Sequence, residues 1–307
     1  MALRIVEFFG YAPLDGSQPA LEARRTRRCP FIGSECTKLL GRDGEISGVC
    51  TVKQARSGPI IICPNRLYAG QYRILSDIAE DVFGREVRLV TSQQLEAGAH
   101  DGRQVVVFGQ RWGKELRLPT RGRGGNYFVD WVLALIGVEG NLQSFVAVEV
   151  QSMDTTGSYR AEREAYLREG RHDGYSRAGI NWENVSKRIL PQIIYKGHVL
   201  RRERLCTKGL FFVCPAPVYD RIADRLGRNM MEYTNLQPGS LTFRWYDPGP
   251  EPPHGTIRAL DFQGQFSTTV DQVALAFTSP VNLPKPNVYE EAIITELRTS
   301  LRSEDRG

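Results

Sequence analysis

Two polar side chains interrupt an apolar, strand-like segment, SFVAVEVQS, at residues 144–152. The period of two in a strand divides its side chains between two faces, one with Val146, Val148 and Val150 and the other with Phe145, Ala147, Glu149 and Gln151. A glutamate in such a strand loses much hydration free energy unless a cation lies beside it. Magnesium is a suitable cation. The alternative interpretation is an edge strand whose polar face is solvated.

A second isolated carboxylate, Asp130, lies in the apolar segment NYFVDWVLALI, 19 positions before Glu149. Two acids on neighbouring strands can hold one magnesium ion, together with a backbone carbonyl such as that of Val150, waters and a substrate phosphate. The order D, then E-x-Q, resembles the PD-(D/E)xK nuclease pattern with glutamine (Gln151) in the lysine position. In the alternative interpretation, Asp130 caps a helix that runs through WVLALI.

Four of the six cysteines fall within 35 residues, at Cys29, Cys36, Cys50 and Cys63. Pro and Gly beside them, in CPF, GVC and CPN, allow the chain to fold back on itself. In an intracellular protein this crowding favours a metal site over disulfides, and four thiolates suit iron or zinc. The six, 13 and 12 intervening residues lack the C-x-x-C of a zinc finger. Four unrelated thiols are the alternative. The remaining cysteines, Cys206 and Cys214, are assigned no role.

The surrounding pattern predicts the elements that must position these residues. The segment YRILSDIAEDVFG predicts a helix that ends at Gly84, and EVRLVT and RQVVVFG predict strands. Further on, NWENVSKRILPQIIYKGHV predicts a helix bent or broken at Pro191, and GLFFVCPAPVYDRIADRLG predicts a strand, a turn and a helix. Strands that alternate with helices favour a three-layer α/β core, with the cysteine-rich segment added near its N-terminus.

Composition is that of a soluble globular protein: 307 residues, 41% hydrophobic and 24% charged. It excludes disordered, collagen-like and coiled-coil chains. No apolar run reaches the roughly 20 residues of a membrane-spanning helix. The segment MALRIVEFFGYAPLDG is too polar for a secretory signal. We therefore expect a cytoplasmic protein with no membrane partner.

Arginine accounts for 33 of the 40 basic residues, and the formal net charge is +5. The planar guanidinium binds phosphates and guanine edges through paired hydrogen bonds, so this usage permits a nucleic-acid partner. Arginine-rich codon usage in a GC-rich genome is the alternative explanation. Candidate DNA contacts are Arg121, Arg123, Arg160, Arg177, Lys187 and Arg188. The GRGG segment lacks the spacing and the Lys-Ser/Thr of a phosphate-binding loop, so no nucleotide cofactor is expected.

The chain resembles the NotI-type restriction endonucleases in a series of short motifs over roughly its first two-thirds. These motifs are EFFG, CPF, GVC, CPNR, ELRL, VDW, VEVQSMDTTGSY, NVSKR and YK. The resemblance implies a bacterial restriction-modification enzyme with a restriction-endonuclease-like core, in which helices flank a central mixed sheet. It also implies a homodimer that cuts double-stranded DNA with magnesium at a palindromic, GC-rich site.

Carried over by position, the resemblance assigns roles to particular residues. Residues 1–70 would form an N-terminal region in which Cys29, Cys36, Cys50 and Cys63 bind iron, with zinc as second choice. Residues 71–307 would form the catalytic and DNA-binding domain. Its catalytic residues would be Asp130, Glu149, Gln151 and Glu115, with magnesium held by Asp130, Glu149 and the Val150 carbonyl.

Two other functions remain open from the sequence. One is a repair or modification-dependent nuclease that cuts without a palindromic site. The other is a metal-stabilised DNA-binding protein without nuclease activity. Two acids on apolar strands oppose the second alternative, since carboxylates near DNA phosphates repel them unless a cation lies between.

Overall fold

A seven-stranded mixed sheet forms the centre of the computed structural model, which describes residues 3–41, 44–55, 57–95, 101–109, 112, 115–118, 127–168 and 176–304. The strands are β1 (Leu3–Phe8), β2 (Arg28–Cys29), β3 (Ser34–Glu35), β4 (Leu39–Leu40), β5 (Glu45–Ile46), β6 (Val49–Gln54), β7 (Pro59–Ile61), β8 (Arg88–Val90), β9 (Gln104–Gly109), β10 (Arg117–Leu118), β11 (Tyr127–Phe128), β12 (Trp131–Ile136), β13 (Leu142–Val150), β14 (Thr155–Thr156), β15 (Gly179–Ile180), β16 (Leu210–Pro215), β17 (Ser240–Pro248) and β18 (Leu260–Thr269). The α-helices are α1 (Gln18–Arg25), α2 (Ala69–Phe83), α3 (Arg160–Arg168), α4 (Leu190–Leu200), α5 (Ala216–Leu226), α6 (Val270–Thr278) and α7 (Val288–Glu304).

The central sheet has the strand order β18-β17-β16-β13-β12-β9-β8. Strand β12 runs antiparallel to both β13 and β9, whereas β13, β16 and β17 run parallel to one another. The mixed α/β architecture predicted from the sequence is therefore confirmed. Strand β13 lies in the middle of the sheet, so the edge-strand interpretation of Glu149 is wrong.

The two faces of β13 pack against different helices, as its alternation predicts. Val146 and Val148 belong to an apolar cluster that also contains Ile78 of α2. Ala147 belongs to a second cluster, with Ile193 of α4 and helix α5. Each face of the sheet is thus covered by helices, and Glu149 points toward the side of α4.

Helix boundaries follow the local chemistry of the chain. Helix α2 ends at Phe83, before Gly84, whose φ of 108° is accessible to glycine at little steric cost. A π-helical turn, Val185–Ile189, continues directly into α4. Pro191 lies in the first turn of α4, where its missing N–H costs no helical hydrogen bond. The sequence predicted a bend or break at Pro191, and the structure has the π-helical turn immediately before this residue.

The N-terminal segment forms a three-stranded sheet, β1-β6-β7, with two short hairpins, β2-β3 and β4-β5. The buried carboxylate of Glu7 on β1 pairs with Arg66 at 2.9 Å. Arg66 also donates hydrogen bonds to the carbonyls of Arg258 and Ala259, which lie immediately before β18. Through these contacts, Arg66 connects the N-terminal sheet to the segment that precedes β18.

Within the part of the chain that the structure describes, no helix has the length and apolar character needed to cross a membrane.

Candidate active site and cysteine cluster

Asp130 and Glu149 lie side by side on two neighbouring strands. Trp131, the first residue of β12, pairs with Val148 of β13 in antiparallel register, so the next position outward places Asp130 opposite Glu149. The Asp130 Oδ2 accepts a hydrogen bond of 2.7 Å from the backbone N–H of Val150. Asp130 therefore precedes a strand, and its interpretation as a helix cap is wrong.

Desolvation raises the pKa of both carboxyl groups, and the charge of Asp130 adds to the shift at Glu149. Burial, followed by the negative charge of Asp130, raises the pKa of Glu149 to about 7, although the charge of Lys196 opposes this shift. Burial also raises the pKa of Asp130, while the Val150 N–H favours its ionised form. A positive charge beside these desolvated acids would stabilise their ionised forms.

The structure adds a residue that the sequence analysis missed. Lys196 lies on α4, is 7% exposed, and donates a hydrogen bond from its ammonium to Glu149 Oε1. The other oxygen of Glu149, Oε2, is buried and has no hydrogen-bond partner within the described ranges. The signal was present in the helical period, because Lys196 falls on the same buried face as Ile193 and Leu200.

Gln151 and Glu115 lie at the border of this pair. The backbone N–H of Gln151 donates to Val213 O at 2.9 Å, and its side-chain Nε2 donates to Ser152 O at 2.7 Å. Glu115 is exposed, and its negative charge contributes to the raised pKa of Asp130. Of these four residues, Glu149 is the one that is buried and paired with a cation, and Asp130 is partly buried beside it.

Beside Gln151 a small polar cavity is lined by Gln151, Ser152, Met153, Asp154, Asn184, Arg188, Ile189 and Gln192. Within it, Asp154 Oδ2 accepts a hydrogen bond from Asn184 Nδ2 at 2.8 Å and lies 3.4 Å from Arg188 Nη1. The amide of Asn184 and the guanidinium of Arg188 thus both face Asp154 in this cavity.

The predicted DNA-contacting cations fall in different surroundings. Lys187 and Arg188 are exposed on the turn before α4 and pair with surface carboxylates, and Arg177 is also exposed. Arg160 pairs instead with Glu45 of the N-terminal hairpin. Arg121 and Arg123 lie outside the described residues.

All four clustered cysteines are buried free thiols. The backbone N–H groups of Phe31 and Ile32 point to the Cys29 thiol, and those of Asn65 and Arg66 point to the Cys63 thiol. Turns that aim two N–H groups at one sulfur favour a negatively charged sulfur. The Pro residues after Cys29 and Cys63 begin both turns.

The thiols lie close enough to influence one another's ionisation. Burial raises the pKa of Cys29 to about 12, with the charges of Cys63 and Cys36 adding to the shift. Burial, then Cys63 and other neighbouring charges, raises the pKa of Cys50. Among the described residues, however, no group of three or more His, Cys, Asp or Glu side chains is placed so that it could hold a metal ion. All four cysteines nevertheless belong to one buried cluster.

A partly buried lysine, Lys38, accompanies the thiols and was also missed from the sequence. The Lys38 ammonium donates to the carbonyl of Ile62. Burial lowers the pKa of Lys38, and its charge interacts favourably with Cys63 and Cys50. A cation in this position stabilises neighbouring thiolates.

The family described as restriction endonuclease NotI matches residues 19–224, which is more than half of the chain. The chain belongs to the NotI restriction endonuclease family. No match was found among curated proteins. Membership of the NotI family implies a site-specific deoxyribonuclease that binds double-stranded DNA.

The match to the NotI family covers the four clustered cysteines, Asp130, Glu149 and Lys196. Strands β17 and β18 and helices α6 and α7 lie beyond it. The candidate site is therefore built entirely from the NotI-like part of the chain.

Proposed function

We propose that this protein is a magnesium-dependent type II restriction endonuclease that hydrolyses phosphodiester bonds at a palindromic, GC-rich site in double-stranded DNA. The observation that carries the proposal is the pair of adjacent carboxylates formed by the partly buried Asp130, just before β12, and the buried Glu149 on β13. The NotI family membership supplies the class of reaction. The PD-(D/E)xK pattern would then consist of Asp130, Glu149 and Gln151, with Glu115 as a further acid.

The residues fit a hard divalent cation. Asp130 and Glu149 would hold it together with the carbonyl of Val150, and the unpartnered Oε2 of Glu149 is an oxygen that lacks a cationic or hydrogen-bonding neighbour. Bound magnesium supplies Lewis acidity and lowers the pKa of an attacking water. The Val150 N–H orients the Asp130 carboxylate, and Gln151 can orient a water through its amide but carries no charge.

We further propose that Cys29, Cys36, Cys50 and Cys63 bind one structural iron, or zinc as the second choice. Four buried thiols with mutual electrostatic influence and a neighbouring Lys38 support this proposal. Tetrathiolate donor sets suit both metals. Residues 1–70 would then form the metal-binding region and residues 71–307 a restriction-endonuclease-like domain, with DNA contacts that include Arg121, Arg123, Arg160, Arg177, Lys187 and Arg188.

A palindromic site calls for a two-fold symmetric enzyme, so we propose a homodimer. Exposed large apolar side chains are concentrated in one segment near the C-terminus, at Leu275, Val281, Leu283, Val288, Tyr289, Ile293, Ile294 and Leu297. Helix α7 carries Glu290 and Glu291 in its first turn and Arg298 two turns later, so two antiparallel copies would bring opposite charges together. This segment is a suitable surface for a second copy of the chain.

The experiment that tests the proposed function uses purified protein, magnesium and an unmodified GC-rich plasmid. Discrete fragments that map to one palindromic sequence are expected. Cleavage without a defined sequence would indicate a repair or modification-dependent nuclease. Retention of the plasmid in a mobility-shift assay without any cleavage would indicate a DNA-binding protein and would contradict the proposal.

A further inference from the structure

Lys196 brings a positive charge into a site whose strand motif has none. The residue two positions after Glu149 is Gln151, an uncharged amide whose Nε2 donates to Ser152 O. Lys196 reaches Glu149 from a different element, helix α4, and its side chain is only 9% exposed. The positive charge beside Glu149 thus comes from α4 and not from β13, the strand that carries Glu149.

Burying an ammonium is costly, so its position requires a physical cause. A buried lysine loses hydration free energy, and only a closely opposed carboxylate offsets that loss. Glu149 Oε1 provides that carboxylate. The contact occupies one oxygen of Glu149 and leaves Oε2 buried without a hydrogen-bond partner in the described part of the chain. Lys196 therefore selects which oxygen of Glu149 remains free.

The charges of the site balance only when Lys196 is included. Ionised Asp130 and Glu149 carry two negative charges, of which one ammonium offsets one. A divalent cation then leaves one positive charge, which a single phosphodiester neutralises. Without Lys196, the same cation and phosphodiester would leave an excess negative charge, which opposes the negative charge that develops during phosphodiester hydrolysis. Glu115 is exposed, so its charge is screened by water.

We propose that Lys196 is a positioning residue of this nuclease: it holds Oε1 of Glu149, keeps Oε2 for the divalent cation, and supplies the positive charge that Gln151 lacks. The inference rests on the proposed endonuclease function. It predicts that loss of the ammonium lowers the cleavage rate without weakening magnesium binding, because an ammonium attracts the phosphodiester and repels the metal cation. A purely structural lysine would affect both in the same direction.

The test compares Lys196→Met, which removes the charge, with Lys196→Arg, which keeps it. Lys53→Met is the matched control, since Lys53 is an exposed lysine of β6 that belongs neither to the candidate site nor to the proposed DNA contacts. Thermal melting checks folding, calorimetry with magnesium alone measures metal binding without DNA, and single-turnover cleavage measures the rate. If Lys196→Met does not fold, Lys196→Gln, which keeps a hydrogen-bond donor without charge, replaces it.

The expected result for Lys196→Met is a cleavage rate about 100- to 1000-fold lower, the usual loss when one preorganised electrostatic group is removed. Magnesium affinity should be unchanged or tighter, and Lys196→Arg should retain the rate within about tenfold of wild type. A Lys196→Met rate within threefold of wild type overturns the inference. So does a parallel loss of magnesium affinity and thermal stability. A wild-type protein that does not cleave DNA overturns the proposed function itself, which is a distinct outcome.

Discussion

The Oδ2 atom of Asp130 accepts a 2.7 Å hydrogen bond from the backbone N–H of Val150, the residue that separates Glu149 from Gln151. This bond holds the Asp130 carboxylate, just before β12, against the last residue of β13. Because Val150 ends β13, the N–H is not used by the strand on that side and is free to hold a side chain. The two acids are thereby held together by the main chain before any cation binds.

This relationship predicts the behaviour of Asp130→Asn. An asparagine oxygen can still accept the Val150 N–H, so the thermal midpoint should remain near that of the wild type. The negative charge is lost, so magnesium affinity should fall at least tenfold and the cleavage rate at least about 100-fold. Calorimetry and single-turnover cleavage measure these changes.

Asp101→Asn is a suitable control for that variant. Asp101 also accepts a backbone hydrogen bond, from Arg103 at 3.0 Å, but it is exposed and lies at the opposite end of β9. The Asp101→Asn variant should cleave DNA at the wild-type rate. Equal activity of Asp130→Asn and Asp101→Asn would refute the role of Asp130.

Arg163 joins helix α3 to the cysteine-rich region. Its buried guanidinium donates to Ser47 O, Ile46 O and Glu45 Oε1. Arg163→Leu should lower the free energy of unfolding by about 2–4 kcal/mol, because three acceptors lose their donor. Chemical denaturation measures the change, and the exposed Arg168→Leu on the same helix should change it by less than about 0.5 kcal/mol. Equal stabilities would rule out this connection.

Metal binding by the cysteine cluster should release protons. Burial holds the pKa of Cys29 at about 12 and raises the pKa of Cys50 and Cys63, so these thiols are protonated at neutral pH without metal. Binding of one metal ion should release about three or four protons, and affinity should fall as the pH falls. Calorimetry in buffers of different ionisation enthalpy counts the protons.

The control for proton release is Cys214→Ser, because Cys214 is buried in the central sheet, away from the cluster. It should bind metal like wild type, whereas Cys50→Ser should lose most of its affinity. Elemental analysis that finds neither iron nor zinc near one atom per chain would contradict the metal site.

The dimer proposal predicts that an acidic residue on the apolar face of α7 produces monomers. Ile293→Asp and Leu297→Asp place charge among exposed apolar side chains, so the dissociation constant should rise at least 100-fold. Light scattering after size exclusion measures the mass, and Thr295→Asp on another side of the helix is the control. A dimer unaffected by these changes would place the interface elsewhere.

Parts of this architecture could be predicted from the sequence because they depend on local periodicity. The alternation in SFVAVEVQS correctly separated Val148 from Glu149, since a strand covered on both faces still directs successive side chains to opposite sides. The end of α2 at Gly84 was also predictable, because glycine accepts the positive φ that follows a helix.

Contacts between distant segments could not be predicted in the same way. The register that places Asp130 beside Glu149 depends on how β12 pairs with β13. The sequence suggested the two acids but not this register. Lys196 is separated from Glu149 by 47 positions, so its contact depends on how α4 packs on the sheet. The pairing of Arg160 with Glu45 was missed for the same reason, since the two lie 115 positions apart.

The most direct test of the central claim is the single-turnover cleavage of unmodified plasmid DNA by the wild type and by Glu149→Ala, with DNA affinity measured in parallel. The wild type should cut with magnesium and stop when a chelator is added. Glu149→Ala should bind DNA measurably but lose at least about 1000-fold in rate, because one of the two carboxylates that would hold magnesium is gone. A variant that retains more than a small fraction of the wild-type rate would contradict the assignment of Asp130 and Glu149 as the site of hydrolysis.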